Sequence, residues 1–552
     1  ELNYKNEKIS IFTGIDGIYN TYLVNTKLYT NFASDSGNTQ LGNETGYRAL
    51  EAGPTYKAGA DWHVDRSDII GFRIDGNQGI YNETGHGNNH VSQQNNLGFD
   101  HLLFTEIGHN KWNTWNYNLN AEHRFDTLGT LLDFSADHTS SLENDRSFYS
   151  NYFYDADQNE VLSPNIYQNT NDANTQIWSS KLDLTLPIDS ASVLESGIKA
   201  SLTTMLNDYL FEREDNSTSS FYTDTTLSNN YSYTEQNLAA YFSYSRTFTH
   251  FSLKAGVRGE KTFVKGTNSA NAFQLTKNYF SLFPNVSFEY SGAAHHVFQL
   301  NLNRRIDRPS YWDLTPFIVY RDQYSYFSGN PFLQPDFSNT IEFTDIFKEM
   351  LTSSVSYSHI DHFMLDYTEQ NDTTKILLET GKNINYENSI SGLLFLKYDP
   401  ADWYELEFDA DGSYVSYKGE IKGVPFHTNG LTYRMNLTNT FMLPGKTKLE
   451  VSGFYRGPNL FGILRIDPLW SASFAFQRSF CKEKLSCSIG LADVFNTFRF
   501  HTHSQFDNQN WNFYQSSDPR RITFSINYNF GKLTIEEREN SSNDDEKSRL
   551  SH

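Results

Sequence analysis

Two histidines separated by one residue, His501 and His503, have the clearest potential to bind a metal ion. Alternate side chains of a β-strand project from the same face, so both imidazoles would be within reach of one ion. No cysteine or carboxylate lies near them at a recognised ligand spacing, so histidines at a polar surface are the alternative interpretation. We therefore expect no resident metal and no other cofactor, and keep the two histidines as weak metal candidates.

Carboxylates are the second group that could do chemistry. Glu405, Glu407, Asp409 and Asp411 occupy alternate positions and would share one face of a strand. They could attract cations, but solvated charges on a wet wall are the simpler interpretation. The chain carries no Gly-x-Ser-x-Gly, no His-Glu-x-x-His and no phosphate-binding glycine loop. The sequence thus predicts no catalytic residues and a protein that is not an enzyme.

The elements that must hold these residues follow a period of two. Apolar and polar residues alternate in Trp115–Phe125, Tyr404–Asp411, Leu449–Tyr455 and Ile522–Phe530, with Phe454 as a break. About ten alternating residues is the length that a tilted strand needs to cross a bilayer. A soluble sheet with one face in water alternates in the same way, so alternation alone does not decide between the two.

The connections between the strands favour a membrane barrel. Tight turns at one end and long loops at the other are typical of outer-membrane barrels, whereas a sandwich has no reason to place every long loop at one end. The predicted short turns are 65–68, 126–129, 249–250, 291–296, 400–402, 443–446 and 481–484, and the long loops include 77–110, 140–175, 304–338 and 414–428.

The composition agrees with such a wall. Aromatic residues make up 16% of the 552 residues, while all hydrophobic residues make up only 38%. An apolar outer face, aromatic girdles and a water-filled interior would produce this balance. No apolar run reaches the length of a transmembrane helix. The formal charge of −22 argues against a nucleic-acid partner, which would need a basic surface.

Strand number and direction extend the prediction. We expect about 21 strands, of which the first, Leu2–Lys5, and the last, Arg521–Phe530, both run toward the periplasm. Bacterial single-chain barrels have even strand numbers, so one strand would precede Leu2 and the total would be about 22. The predicted fold is therefore all-β, a transmembrane antiparallel β-barrel over residues 1–531. Residues 532–552 are charged and lack Phe, Tyr and Trp, which predicts a disordered periplasmic tail.

One long loop carries a specific resemblance. Residues 304–335 read RRIDRPSYWDLTPFIVYRDQYSYFSGNPFLQP. Its Arg-Pro-Ser-Tyr, Leu-Thr-Pro-Phe and Gly-Asn-Pro-Phe-Leu-Gln-Pro elements resemble, in order and spacing, those of the outer-membrane beta-barrel family of TonB-dependent receptors found in Bacteroidetes. The Leu-Asn-Tyr-Lys at Leu2 and the Tyr-Asn-Phe-Gly at Tyr528 are also similar to that family. Family members usually carry a regulatory-like domain, a TonB-contacting segment and a plug ahead of the barrel, and none of these is found in this sequence.

The resemblance implies a receptor in the cell outer membrane that imports a scarce siderophore, peptide or glycan. The implied partners are outer-membrane lipid and lipopolysaccharide, the TonB energy complex through a plug region outside this chain, and a surface lipoprotein or other outer-membrane subunits. Two alternatives stay open. The barrel could be a non-transporting subunit of a larger outer-membrane complex, or an adhesin-like surface barrel.

Residues 304–335, the signature loop, also supply the candidate ligand-binding residues. Its prolines interrupt any continuous strand. The loop could pack on itself and brace the wall, or it could present an aromatic surface over the lumen that contacts ligand. Under the second interpretation the binding residues are Asp307, Arg308, Tyr311, Trp312, Tyr320, Tyr324 and Tyr326.

Overall fold

A computed structural model of the chain describes residues 2–33, 38–92, 97–268, 273–530 and 541–550. The strands are β1 Leu2–Lys5, β2 Ile9–Phe32, β3 Thr39–His63, β4 Asp68–Ser92, β5 His101–Arg124, β6 Leu131–Tyr154, β7 Glu160–Asp189, β8 Ser192–Asp215, β9 Ser220–Thr223, β10 Asn229–Thr247, β11 Phe251–Asn268, β12 Gln274–Ala293, β13 His296–Asp307, β14 Ile318–Tyr320, β15 Ser325–Ser328, β16 Asp336–Phe347, β17 Leu351–Asp361, β18 Met364–Asn371, β19 Ile376–Asn383, β20 Tyr386–Ala401, β21 Tyr404–Ile421, β22 Val424–Leu443, β23 Thr447–Arg456, β24 Asn459–Phe461, β25 Leu464–Ile466, β26 Leu469–Phe480, β27 Leu485–Ala492, β28 Phe500–Phe506, β29 Gln509–Ser517 and β30 Arg521–Tyr528.

Helical structure in the described residues is confined to the C-terminal segment. It consists of the helix α1, Asp544–Lys547, and a 3-10 helix, Ser548–Leu550. Neither these nor any other described residues form a helix that is long and apolar enough to cross a membrane.

Twenty-six of the described strands form one sheet in which consecutive strands pair antiparallel. Three of them, β9, β24 and β25, are short hairpin strands and do not cross the wall by themselves. The strands β27 and β28 together make one crossing of the wall, and so do β29 and β30, which leaves 21 crossings among the described strands. This agrees with the predicted number of about 21 passes. The predicted short turns are confirmed, for example at Asp126, whose carboxylate accepts hydrogen bonds from the backbone N–H groups of Leu128 and Gly129.

Burial is inverted relative to a soluble protein. On β5, Leu119 is 48% exposed, whereas its neighbours Asn118 and Asn120 are each 4% exposed. The buried asparagines point to the lumen, where the amide of Asn118 donates to Asp137 on β6 at 3.0 Å. Apolar side chains such as Leu119 therefore form the lipid face, and the polar face lines the interior, as the alternation predicted.

Three of the four predicted long loops are largely strand, which corrects the sequence-based boundaries. The β4–β5 ladder continues to the pair His90 and His101, and β6 and β7 stay paired as far as Tyr154 and Glu160. Above the bilayer both faces of a strand meet water or other polar groups. Polar residues at successive positions therefore remove the alternation without breaking the hydrogen-bond ladder.

The wall meets itself at β2. The upper part of this strand, Val24–Thr30, pairs with Trp511–Ser517 of β29, and its lower end pairs with β1. The last strand, β30, pairs with β27. Among the described residues no ladder joins β1 to β30, so the further strand expected from strand parity stays a prediction.

The C-terminal segment differs from the expectation of a disordered periplasmic tail. Within it, Ser542, Asn543, Glu546 and Arg549 are buried against lumen-facing residues of the wall. The charged composition that indicates disorder in water is matched here by opposite charges inside the barrel. The remainder of the predicted tail, 532–540 and 551–552, lies outside the described residues.

The inverted burial predicts unequal effects of the same substitution at two adjacent residues of β22. Leu437 is exposed on the lipid face, while Thr438 points inward and pairs with Glu407 of β21. We expect Leu437→Arg to lower the free energy of unfolding by about 2–4 kcal/mol, because it places a charge in lipid. The matched control, Thr438→Arg, should change it by less than about 1 kcal/mol. Urea unfolding in lipid vesicles measures both, and equal losses would contradict the assignment of the two faces.

Candidate lumen binding site

The signature loop begins where β13 ends and is anchored inside the barrel by Arg308. The Arg308 guanidinium lies 2.8 Å from the Glu260 carboxylate and 3.4 Å from the Thr262 hydroxyl, both buried on β11. Glu260 also pairs with Arg258 at 2.5 Å. A planar guanidinium can satisfy several acceptors at once, so this arginine fixes the entry of the loop into the lumen.

The tip of the loop is anchored to the wall by Asp322. This side chain is buried and accepts hydrogen bonds from the Asn43 amide on β3 at 2.6 Å and from the Tyr324 backbone N–H at 2.7 Å. Burial raises the pKa of the Asp322 carboxyl, although the backbone N–H of Tyr324 opposes the rise. Asp322 thus ties the β14–β15 hairpin to the wall.

A small second sheet stiffens the tip. Its strand order is β14, β15, β19, β18, and β15 and β19 run parallel. Arg321, in the β14–β15 turn, pairs with Glu379 of β19 at 2.8 Å. Two separate outer connections are therefore joined to each other inside the opening of the barrel.

Aromatic side chains also pack within the loop and against the wall. Tyr311 is 3% exposed, and the ring of Trp312 stacks on Phe327 with centroids 5.4 Å apart. Tyr320 packs on Tyr167 of β7 at 5.1 Å. These contacts hold the loop by its own side chains and by the wall.

A cavity of about 510 Å³ lies between this hairpin and the wall. Its size matches sites that take a small organic ligand. Charged and aromatic side chains share its surface, a combination that can orient a ligand by ion pairing and stacking. The lining includes Tyr47, Tyr81, Glu83, Arg321, Asp322, Tyr326, Phe500, Trp511 and Phe513.

The structure separates the seven predicted binding residues into different roles. Tyr326 lines the cavity, and its ring packs against that of Tyr320 at 4.4 Å. Asp307 is the exposed last residue of β13. The other predicted residues make the anchoring and packing contacts described above or, like Tyr324, are buried against the wall near Phe99.

Sequence reasoning missed most of the cavity. Arg321 and Asp322 lie within the signature loop. Their position directly after Tyr320, a predicted binding residue, could have indicated that they also line the site. Glu83 and Trp511 come from strands at opposite ends of the chain. Their convergence depends on the closing of the wall, which no local pattern shows.

The histidine pair faces away from this cavity. Thr502 lines the cavity, so His501 and His503, on either side of it in β28, point outward. The centroids of the two imidazole rings are 5.3 Å apart, and His501 Nδ1 lies 2.6 Å from the carboxylate of Asp467. One ligand atom from each of the three residues lies within 4.8 Å of the others. Asp467 is the carboxylate that sequence spacing did not find, and the group stays a weak metal candidate on the outer face.

The predicted carboxylate stripe is paired with neighbouring cations on the lumen side of the wall. Lys397 lies 3.3 Å from Glu405 and 3.6 Å from Glu407. Arg434 lies 2.7 Å from Asp411. These side chains are about one-third to one-half exposed, in agreement with solvated charges on a wet wall.

Comparison with known proteins places this architecture in a family. Residues 123–528 match the outer membrane protein beta-barrel family, and the chain belongs to it. The copper transporter OprC is similar in structure, with a TM-score of 0.56 at 13% identity over 90% of this chain and 80% of that chain. The FpvAI–pyocin S2 complex gives a TM-score of 0.53 at 12% identity over 90% of this chain and 72% of that chain. No curated protein sequence matches the chain.

The protein is thus a β-barrel of the outer membrane, which confirms the predicted fold class and location. Family membership also confirms that the resemblance found in the signature loop is to an outer-membrane beta-barrel family. It agrees with the prediction that the chain is not an enzyme. At the identities of the two solved structures, their likeness concerns the fold.

The anchoring role of Arg308 can be tested by proteolysis. We expect Arg308→Ala to speed chymotrypsin cleavage within the aromatic loop by at least about tenfold, because breaking a buried ion pair costs about 3–5 kcal/mol. Arg434→Ala removes a half-exposed pair with Asp411 and should leave cleavage unchanged. Unchanged cleavage in Arg308→Ala, with the heat-modifiable gel shift of a folded barrel retained, would show that the loop is held elsewhere.

Proposed function

We propose that this chain is the wall and ligand-recognition part of a TonB-dependent receptor that imports a scarce ligand too large for a porin. The observation that carries the proposal is the cavity beneath the inserted loop, inside the lumen of an outer-membrane barrel. An outer-membrane channel for small solutes needs no such roofed and chemically mixed site. A receptor that must hold a dilute ligand before moving it does need one.

The mixed lining favours a ligand with both charged and flat or apolar parts. Tyr326 and Trp511 offer ring faces, while Glu83 and Arg321 offer charges of both signs. Metal chelates of the siderophore type, peptides and glycans all satisfy this description. The similar fold of a protein known as a copper transporter is consistent with metal-containing cargo.

Energy would come from the TonB complex acting on a plug. In the family that the loop signature indicates, the plug and the TonB-contacting segment precede the barrel. The wall described here would supply the outer half of the ligand site, and movement of the plug would open the path inward. Lipopolysaccharide and outer-membrane lipid would surround the apolar face.

Import can be tested with cells that carry the complete receptor gene or a deletion of it. The cells are incubated with a pool of ferric siderophores, oligopeptides and oligosaccharides, and depletion from the medium is followed by mass spectrometry. We expect one class to be depleted only when the gene is present, and depletion to stop when a protonophore removes the energy source. If deletion changes the depletion of no class, import is contradicted and a surface-binding or subunit role is favoured.

The cavity can be tied to uptake by two substitutions. We expect Tyr326→Ala and Arg321→Ala each to slow uptake of the responsive class by about fivefold or more, since a stacking or charged contact is worth about 1 kcal/mol or more. Tyr222→Ala, at an exposed position of β9, is the matched control and should have no effect. Equal uptake by all three variants would place the ligand site outside this cavity.

A further inference from the structure

The C-terminal segment Ser541–Leu550 occupies a groove on the lumen wall that is distinct from the cavity under the hairpin. The segment crosses the inner faces of β5–β8 and β10 and ends against the signature loop. Asn543 is fully buried, and Arg549 is 9% exposed. Ten residues of mostly charged and polar type are thus enclosed by the barrel.

The most specific part of this groove is a pocket for the Arg549 guanidinium. Nη1 of Arg549 donates to the Glu235 carboxylate at 2.8 Å, and Nε donates to the Pro309 carbonyl at 2.9 Å. The guanidinium lies over the ring of Tyr311, 4.2 Å from its centroid. An acidic group, a carbonyl and a ring face together match the charge, the planar donors and the π face of an arginine.

The pocket also binds the backbone of the segment. The Tyr311 backbone N–H donates to the Arg549 carbonyl at 3.2 Å. Tyr311 is in turn positioned by its hydroxyl, 3.2 Å from the Thr203 hydroxyl on β8. Two residues of the signature loop, Pro309 and Tyr311, therefore contact the segment directly, a role for the loop that its sequence did not suggest.

A second set of contacts recognises the acidic residues that precede the arginine. Nζ of Lys199 on β8 lies 3.0 Å from Glu546 and 3.2 Å from Asp545. Lys199 is only 7% exposed. Since a buried ammonium needs an anionic partner, the segment satisfies a charge that the wall itself carries.

A third set recognises the start of the segment. Asp137 on β6 accepts hydrogen bonds from the backbone N–H of Ser542 at 2.8 Å and from its hydroxyl at 2.6 Å. The amide of Asn543 donates to the Thr139 hydroxyl at 2.8 Å and to Asn116 at 3.2 Å. The three sets follow one another along the wall in the order Ser-Asn, Glu, Arg.

We propose that the lumen contains a peptide-binding groove selective for an arginine that follows acidic residues, and that the chain's own segment Ser541–Leu550 occupies it in cis. Side-chain contacts at three separate points make the recognition sequence-dependent. A peptide with the same groups would compete for the groove when the resident segment leaves. The inference does not depend on the proposed import function, because it concerns only which segment the lumen holds.

Occupancy in cis can be tested by disulfide trapping in the full chain. The hydroxyls of Ser179 on β7 and Ser542 are hydrogen-bonded, so cysteines at these positions would be within bonding range. The two native cysteines, Cys481 and Cys487, are free and would first be replaced by serine. We expect mild oxidation to link S179C to S542C but not T440C, on the distant strand β22, to S542C. No link in the first pair, or equal linking in both, would overturn occupancy.

Sequence-dependent recognition is tested with a fluorescent peptide of residues 541–550 added in trans. In the full chain, Arg549→Glu places a carboxylate against Glu235 and should expel the resident segment. Fluorescence anisotropy in detergent should then show saturable binding of the peptide to the R549E chain. The affinity of the unaltered chain for the peptide should be at least about tenfold lower, because its groove is already filled. Replacing Glu235 by Gln in the same R549E chain keeps the side-chain shape and should also weaken binding at least about tenfold.

The peptide itself supplies the final control. A version with Lys in place of Arg549 keeps the charge but cannot reach both Glu235 and the Pro309 carbonyl with planar donors, so it should bind less tightly. Equal affinity of the R549E chain and the R549E/E235Q chain for the arginine peptide would overturn the pocket. All chains must show the heat-modifiable migration of a folded barrel. Neither measurement uses an imported ligand or the TonB complex, so failure of the import proposal and failure of this one are distinguishable.

Discussion

The interior of this barrel depends on ion pairs between buried charges of the wall and charges of the segments that enter the lumen. Glu260 holds Arg308, Glu235 holds Arg549, and Lys199 holds Glu546. Each pair joins a wall strand to a segment that enters the lumen. A charge buried without a partner is costly, so the wall favours states in which the loop and the C-terminal segment are inserted. The polar inner face of the barrel thereby supplies the charged partners of the segments that lie against it.

The lipid face imposes the complementary constraint. Because outward positions such as Leu119 and Leu437 must be apolar, nearly all chemical variety is confined to inward positions and to the parts of strands above the bilayer. The long hairpins of β4–β5 and β6–β7 extend this inward surface beyond the membrane. The cavity under Tyr326 and the groove for the C-terminal segment both lie on it. The two proposed binding surfaces are therefore built from side chains of many strands, with one loop as their common support.

Local features of this structure could be predicted from sequence, and features that join distant segments could not. Turns such as the one capped by Asp126 are fixed by neighbouring residues, and strand faces follow from alternation. The sequence predicts loops where the structure has the upper hairpins, because polar residues there occupy both faces. The burial of Arg549 was missed because its partner Glu235 is 314 residues away and the segment alone has the composition of a disordered tail. Asp467 was not predicted as a partner of His501 because the two residues are also far apart in the sequence.

The proposed ligand cavity exists only if the signature loop lies inside the lumen as an ordered roof. Hydrogen exchange of the unmodified chain in lipid nanodiscs tests it most directly. We expect the amides of β14 and β15 to exchange at least about 100-fold more slowly than those of the exposed turn 216–219, because they belong to a sheet anchored through Asp322. Exchange of β14 and β15 as fast as that of the turn would contradict an inserted, ordered loop.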